Sequence, residues 1–145
     1  MIQISQRADY AFFLLGLLAR AEHPVALKSL AEEHDMSFQY LQEVAQQLRR
    51  AGFICSTRGT HGGYHLDIDP AEVSVLEIIH ALEGTQFSGT CQAAAGNSEN
   101  LKKQHSCARA GACPSKEGLA LLKNKMLGLL AEVTLADMFA QKVTS

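Results

Sequence analysis

The chain has 145 residues, of which 47% are hydrophobic and 19% charged, and this composition supports one globular domain with a single hydrophobic core. Its longest apolar run, residues 10–19, is well short of the roughly 20 residues that a membrane-spanning helix needs. The first residues do not have the pattern of a secretory signal either. We therefore expect a cytoplasmic protein that does not contact a membrane.

The net charge of −2 does not by itself indicate a nucleic-acid-binding protein, because neutralising phosphates usually requires an excess of Lys and Arg. The basic residues are clustered, however. Arg49, Arg50 and Arg58 lie within ten residues of one another. A chain that is acidic in total can therefore still present a basic face.

The first part of the chain has the pattern of a helix-turn-helix. An almost wholly apolar helix is predicted over residues 5–21, and it must be covered on most faces. A short helix follows over residues 27–34, after the helix-breaking Pro24. A third helix is predicted to begin at Ser37, a favourable N-cap, and to end at Gly52. Two short helices joined by a tight turn predict a helix-turn-helix.

A β-hairpin is predicted directly after the third helix. Residues 53–57 and 64–68 have strand-like composition, and the six residues between them include three glycines. A hairpin that follows a recognition helix is the wing of a winged helix. Cys55 lies in its first strand, where we expect a buried thiol. A fourth helix is predicted between Ser74 and Gly84.

Residues 85–114 have no sustained periodicity and contain Cys91, Cys107 and Cys113, three of the four cysteines. In a reducing compartment, cysteines indicate metal binding or redox sensing rather than structural disulfides. We therefore interpret this segment as a functional loop.

A helix resumes at about residue 115, and its apolar residues recur in steps of three and four, as in a short coiled coil. These residues are Leu119, Leu122, Met126, Leu129 and Val133. Such a stripe needs a partner, most simply the same helix of a second copy. Thr134 and Asp137 then have the spacing of a capping box, which predicts a short last helix.

The fold class that these elements predict is mainly α with a small β-hairpin wing. We divide the chain into a winged helix-turn-helix domain at residues 1–84, a cysteine loop at residues 85–114, and a dimerisation helix with a C-terminal helix at residues 115–145.

The motifs of residues 37–84 resemble those of a known family. They are Tyr40-Leu41, the Leu-Arg-Arg-Ala-Gly-Phe run at 48–53, Ser56-Thr57-Arg58-Gly59, Gly62-Gly63-Tyr64 and Glu83-Gly84. Together with the first helix around Asp9-Tyr10 and the three later cysteines, they resemble the Rrf-two family of bacterial transcription regulators. The resemblance covers nearly the whole chain. It implies a homodimeric repressor that binds double-stranded promoter DNA, with DNA affinity set by an iron–sulfur cluster.

The third helix and the wing supply the predicted DNA contacts. Gln39, Gln42, Glu43, Gln46 and Gln47 face outward if the apolar residues of this helix face inward. Glutamine can pair bidentately with adenine, and a tyrosine can reach a phosphate or a thymine methyl group. The family counterpart of Arg58 enters the minor groove. The alternative is that all of these residues are merely solvated. The predicted contacts are Gln39, Tyr40, Gln42, Arg58, Gly59 and His61. For Gly59 the alternative is that it only shapes the turn, and for His61 it is a solvated side chain at the tip.

The predicted ligands of a [2Fe-2S] or [4Fe-4S] cluster are Cys91, Cys107 and Cys113, since iron in such clusters prefers thiolate. IscR-like members have a histidine just after the third cysteine, whereas Pro114 follows it here. Asp9 stands where NsrR-like members carry an acidic ligand donated by the other subunit. We therefore predict Asp9 of the partner subunit as the fourth ligand. His105 and Glu117 are alternatives, and Asp9 could instead only favour the helix N-terminus.

Two other functions are consistent with the sequence. One is a metal-free thiol sensor, in which Cys107 and Cys113 oxidise. The other is a redox or metal-handling protein that does not bind DNA. The sequence contains no glycine-rich nucleotide loop, nucleophile–base pair or paired acidic site, so we do not predict an enzyme. His34, His65 and His80 lack metal-ligand spacing and are assigned no role.

Overall fold

The computed structural model describes residues 4–84 and 112–140, and its core forms around the first helix, α1 (Gln6–Arg20). Ser5 caps this helix, because its Oγ accepts a hydrogen bond from the Ala8 backbone N at 3.2 Å. The buried residues of α1 are Ala8, Ala11, Leu14, Leu15 and Leu18. The helix predicted over residues 5–21 is thus present and central.

The predicted helix-turn-helix consists of α2 (Leu27–Glu33) and α3 (Phe38–Arg50). In the turn between them, Asp35 adopts a left-handed φ of 52°, which a short polar side chain tolerates better than most. The backbone N of Met36 donates to the Ala31 oxygen at 2.9 Å and closes the turn. Ser37 caps α3 by accepting from the Tyr40 backbone N at 3.4 Å.

The wing is an antiparallel hairpin of β1 (Ile54–Thr57) and β2 (Gly63–Leu66). In its register, Ile54 lies opposite Leu66 and Thr57 lies opposite Gly63. Val25, which precedes α2, adds a bridge to Tyr64 through two backbone hydrogen bonds of 2.9 and 2.8 Å. The wing is therefore tied to the start of the helix-turn-helix, a contact that the sequence pattern did not indicate.

The remaining helices are α4 (Val75–Glu83), α5 (Lys116–Glu132) and α6 (Leu135–Ala140). The predicted capping box of α6 is present: Asp137 Oδ2 accepts from the Thr134 backbone N at 2.9 Å, and Thr134 Oγ1 accepts from the Asp137 backbone N at 3.1 Å. The bond from the Thr134 backbone N, followed by the one that the Thr134 hydroxyl donates to Asp137 Oδ2 at 2.7 Å, lowers the pKa of Asp137. A second capping box, between Ser74 and Glu77, begins α4 and was not predicted.

Helix α6 returns to the core formed by α1. Leu135 is fully buried, and the ring of Phe139 lies over Gly16, so close that a Cβ there would be 3.1 Å from it. The confirmed fold class is mainly α with a two-stranded wing, whereas the division of the chain into three parts stays a prediction. Within residues 4–84 and 112–140, no helix is both long and apolar enough to cross a membrane.

The bridge between Val25 and Tyr64 requires a glycine at residue 63. A Cβ at Gly63 would lie 2.6 Å from the carbonyl carbon and oxygen of Val25. We expect Gly63→Ala to lower the free energy of unfolding by about 1–3 kcal/mol, as overpacking does, in urea denaturation. Gly118→Ala is the control, because no described atom lies within 4 Å of that Cβ position. In α5 this change should instead add up to about 1 kcal/mol of stability. A Gly63→Ala chain as stable as wild type would contradict the close approach.

Candidate nucleic-acid interface and cysteine segment

Helix α3 presents a polar face of the kind that reads base edges. Its buried side consists of Leu41, Val44, Ala45 and Leu48. Gln39 and Gln42 are exposed, as are Glu43 and Gln46, in agreement with the predicted orientation. Gln47 was expected to face outward as well, and this was wrong. It is half-buried, and its Oε1 is buried without a hydrogen-bond partner among the described residues, because it borders the apolar stripe.

Tyr40, another predicted DNA contact, is half-buried rather than free in solvent. Its ring packs edge-on against Tyr10 of α1, with the ring centroids 4.9 Å apart and the planes at 82°. This T-shaped arrangement is one of the favourable geometries for two aromatic rings. Tyr40 thus joins the beginning of α3 to α1.

The tip of the wing exposes the predicted contacts Arg58, Gly59 and His61. Gly59 has a left-handed φ of 118°, which favours glycine. Gly62 is required for a different reason, since a Cβ there would lie 2.4 Å from the Thr57 oxygen. The glycines therefore shape a tight tip that leaves the Arg58 side chain free in solvent.

Positive charge accumulates along α3 and the wing. Arg49 and Arg50 occupy the last turn of α3 and are exposed, and Arg58 directly follows β1. Cations at the end of a helix also favour its negative dipole end. Three exposed guanidinium groups on consecutive elements are suited to phosphates and to the minor groove.

The structure describes only part of the predicted cluster site. Cys91 and Cys107 lie outside the described residues, as does His105. Cys113 is half-buried, is a free thiol as far as the described residues show, and precedes α5 by three positions. Asp9 is exposed in the first turn of α1, and Glu117 is exposed in the first turn of α5. In the described ranges, no three His, Cys, Asp or Glu side chains are grouped so that they could hold a metal ion.

The beginning of α1 contacts the end of α4, where the chain leads into the cysteine segment. The Ser5 hydroxyl donates a hydrogen bond to Glu83 Oε1. Arg7 Nη1 donates to the backbone oxygen of Leu82 at 3.4 Å. Sequence reasoning missed both contacts, because their partners are separated by more than 70 residues in the chain.

Helix α5 exposes a row of large apolar side chains. Leu119, Leu122 and Leu129 are 45%, 55% and 64% exposed, Val133 is exposed as well, and Met126 is half-buried. These are the residues of the predicted coiled-coil stripe. Seventeen residues of helix extend about 25 Å. A row of this length is long enough for pairing with another helix.

The sequence profile of the Rrf2 family, described as iron-dependent transcriptional regulator, matches residues 4–141. The chain belongs to the Rrf2 family. Protein rrf2 of Nitratidesulfovibrio vulgaris is 30% identical over 139 residues, which cover 94% of this chain and 87% of that protein. The resemblance inferred from the motifs is therefore confirmed, and the chain is a transcriptional regulator of this family.

Two solved structures support the assignment of the fold. The structure of T. potens IscR matches with a TM-score of 0.69 and 29% identity, over 99% of this chain and 94% of that one. The structure of CymR, described as the global cysteine regulator of B. subtilis, matches with a TM-score of 0.64 and 27% identity, over 97% of this chain and 98% of that one.

This Rrf2 wing also contains a thiol–imidazole contact. Cys55 and His65 are cross-strand partners, and Cys55 Sγ lies 2.8 Å from His65 Nε2. Cys55 was expected to be buried, but it is half-buried, because it points away from the core-facing Ile54. Desolvation, followed by the charge of Asp67 and a hydrogen bond to it, raises the pKa of Cys55 above its ordinary value.

The raised pKa of Cys55 predicts slow alkylation that depends on Asp67. A thiol reacts as its thiolate, so a raised pKa lowers the reaction rate at any pH below that pKa. In a chain with Ser at positions 91, 107 and 113, we expect Asp67→Asn to move the midpoint of the pH–rate profile for iodoacetamide to lower pH. Asp69→Asn removes the same charge two residues away and is the control. An unchanged midpoint in Asp67→Asn would contradict the effect of the carboxylate.

Proposed function

We propose that this Rrf2 protein binds promoter DNA as a homodimer and that an iron–sulfur cluster, [2Fe-2S] or [4Fe-4S], held by Cys91, Cys107 and Cys113 sets its DNA affinity. The observation that carries the proposal is the exposed amide face of α3 followed directly by a wing with an exposed arginine. The description of the family as iron-dependent supports the cluster. The family is described as a transcriptional regulator and the matching CymR structure as a global cysteine regulator, so we assign a regulatory role and not an enzymatic one.

DNA reading follows from the surface of α3 and the wing. The recognition helix of a helix-turn-helix lies in the major groove, with its N-terminal residues at the base edges. Gln39 and Gln42 occupy the first half of α3, where exposed amides can pair with adenine. Arg58 suits a narrow minor groove, while Gly59 and His61 follow it at the exposed tip and suit phosphates.

The donor set of the cysteine segment fits iron. Three thiolates can hold an iron–sulfur cluster and leave one coordination position for another ligand. When bound, such a cluster supplies iron that responds to oxidants, nitric oxide or iron supply. The exposed carboxylate of Asp9 is accessible to a partner subunit, and as a hard ligand it would be displaced more easily than a thiolate.

Dimerisation is supported by the exposed apolar row of α5. The heptad-like spacing of its leucines suits the same row on a second copy, related by a twofold axis. A twofold dimer would also present two recognition helices to two half-sites of DNA.

The DNA contacts are tested with a duplex selected from a random-sequence pool by the wild-type protein. Loss of a bidentate amide–base pair costs about 1–3 kcal/mol, or roughly 5- to 140-fold in Kd. We expect Gln39→Ala to weaken binding within this range and to relax specificity at one base pair. Arg58→Ala should weaken binding to the same duplex as well. Both are measured by fluorescence anisotropy at fixed salt, because binding to phosphates depends on salt.

Lys125→Ala is the control for charge, because it removes one exposed cation from α5. It should leave the Kd unchanged. If Gln39→Ala and Arg58→Ala bind like this control, the proposed interface is wrong. If the wild-type protein enriches no sequence, the chain does not read DNA, and a redox or metal-handling role is favoured.

The ligand role of Asp9 is tested with mixed dimers purified without oxygen. We expect the wild-type protein to be coloured and both Asp9→Ala and Cys107→Ser to change the visible spectrum. If Asp9 binds the cluster of the other subunit, mixing these two variants restores one complete site per mixed dimer. The wild-type spectrum should therefore return in part after subunit exchange.

Ligation by Asp9 of the same chain would give no restoration, because neither variant then contains a complete set of ligands. An Asp9→Ala protein with the wild-type spectrum and unchanged cluster stability would remove Asp9 from the ligand set. Glu117→Gln, which alters the exposed alternative carboxylate on α5, is the matched variant.

A metal-free thiol sensor is the second candidate. It is supported by the similarity to the structure described as a global cysteine regulator and by the free thiol of Cys113 within the described residues. In this mechanism Cys107 and Cys113 would oxidise in place of holding a cluster. A colourless, iron-free protein from anaerobic cells, with all thiols reactive, would favour it over the cluster.

A further inference from the structure

The recognition helix is held against the first helix by an aromatic contact near its beginning. The Tyr10 ring meets the Tyr40 ring edge-on at 4.9 Å, and both side chains are half-buried. Tyr40 is the third residue of α3, next to Gln39 and close to Gln42. Since the N-terminal residues of a recognition helix meet the bases, the position of Tyr40 bears on how these amides reach DNA.

The beginning of α1 is also hydrogen-bonded to the end of α4. The Ser5 hydroxyl donates to Glu83, and the Arg7 guanidinium donates to the Leu82 oxygen at 3.4 Å. Tyr10 follows Arg7 by three positions, so less than one helical turn separates the two sets of contacts. A turn of hydrogen-bonded helix is stiff. A displacement of the contacts with α4 therefore also displaces Tyr10 and its contact with Tyr40.

We propose that Tyr10 is a positioning residue for DNA recognition and that it connects the end of α4 to the recognition helix through Tyr40. This inference rests on the proposed reading of DNA by α3, and it does not require a cluster. It assigns to α1 a role that neither its burial nor its apolar sequence indicates. The cysteine segment directly follows α4, so whatever moves the end of α4 can act on Tyr40.

The structure supplies a matched control on the same helix. Phe13 also packs edge-on against a ring, that of His34, with centroids 4.9 Å apart and planes at 79°. This second contact joins α1 to the end of α2 and not to α3. Tyr10→Leu and Phe13→Leu each remove one aromatic contact of nearly equal geometry, and only the first affects Tyr40.

The experiment measures binding of each variant to the selected duplex and to a scrambled duplex, together with thermal stability. An edge-on aromatic pair corresponds to roughly two- to tenfold in an equilibrium constant. We expect Tyr10→Leu to reduce the ratio of specific to scrambled binding by about this factor. Phe13→Leu should lower the thermal stability about as much as Tyr10→Leu does, but it should leave the ratio of specific to scrambled binding unchanged. Tyr10→Phe, which keeps the aromatic ring, should have the same ratio as the wild-type protein.

The connection to α4 is tested by combining Tyr10→Leu with Glu83→Ala, which removes the acceptor of Ser5. Coupled residues give non-additive effects, whereas independent residues give additive ones. We expect Glu83→Ala to change the specific-to-scrambled ratio when Tyr10 is present and to have no further effect in Tyr10→Leu.

Equal ratios for Tyr10→Leu and Phe13→Leu, with a wild-type protein that does discriminate the two duplexes, would overturn the role of Tyr10 and leave the proposed function intact. Additive effects of the two variants would overturn the connection to α4. A wild-type protein that binds both duplexes equally would overturn the proposed function and this inference together.

Discussion

The burial of α1 is the constraint on which the rest of the structure depends. Its apolar side chains cover so much of its circumference that other elements must pack on several sides of it. Helix α3, strand β2 and helix α4 do so, and Phe139 of α6 closes over Gly16. The helix-turn-helix, the wing and the C-terminal helix are thereby fixed to one element, which is what gives the exposed face of α3 a defined orientation.

The parts of the fold that depend on residues close together in the sequence were predictable from it. Helix beginnings follow from capping side chains such as Ser5, Ser37 and Thr134, which act on backbone groups within one turn. The wing was less predictable. Pairing the predicted strand ends, 57 with 64, would place Leu66 opposite Cys55, but the observed pairing of Thr57 with Gly63 places His65 there. A shift of one residue reverses which side chains share a face, so the contact between Cys55 and His65 was missed.

In the candidate site, too, local patterns predicted some features and missed those that depend on long-range contacts. The helical period placed Gln39 and Gln42 on the exposed face of α3, but it misplaced Gln47, which lies at the margin of the buried stripe. A periodic pattern defines the centre of a helix face better than its edges. The contact between Tyr10 and Tyr40 joins residues thirty positions apart, and no local rule relates them. Long-range contacts of this kind are set by how helices cross, which composition and spacing do not specify.

Asp9 and Tyr10 are consecutive residues of α1, and their different exposures suit this turn to the two roles proposed for it. Successive residues of a helix project about 100° apart, so the exposed carboxylate of Asp9 and the half-buried ring of Tyr10 face different surroundings on one rigid turn. If a group bound to Asp9 displaced this turn, the ring of Tyr10 would move with it relative to Tyr40. Because α1 is packed on several sides, the helix could not shift freely to relieve such a displacement. The elements that contact α1 would therefore move as well, and the beginning of α3 is one of them.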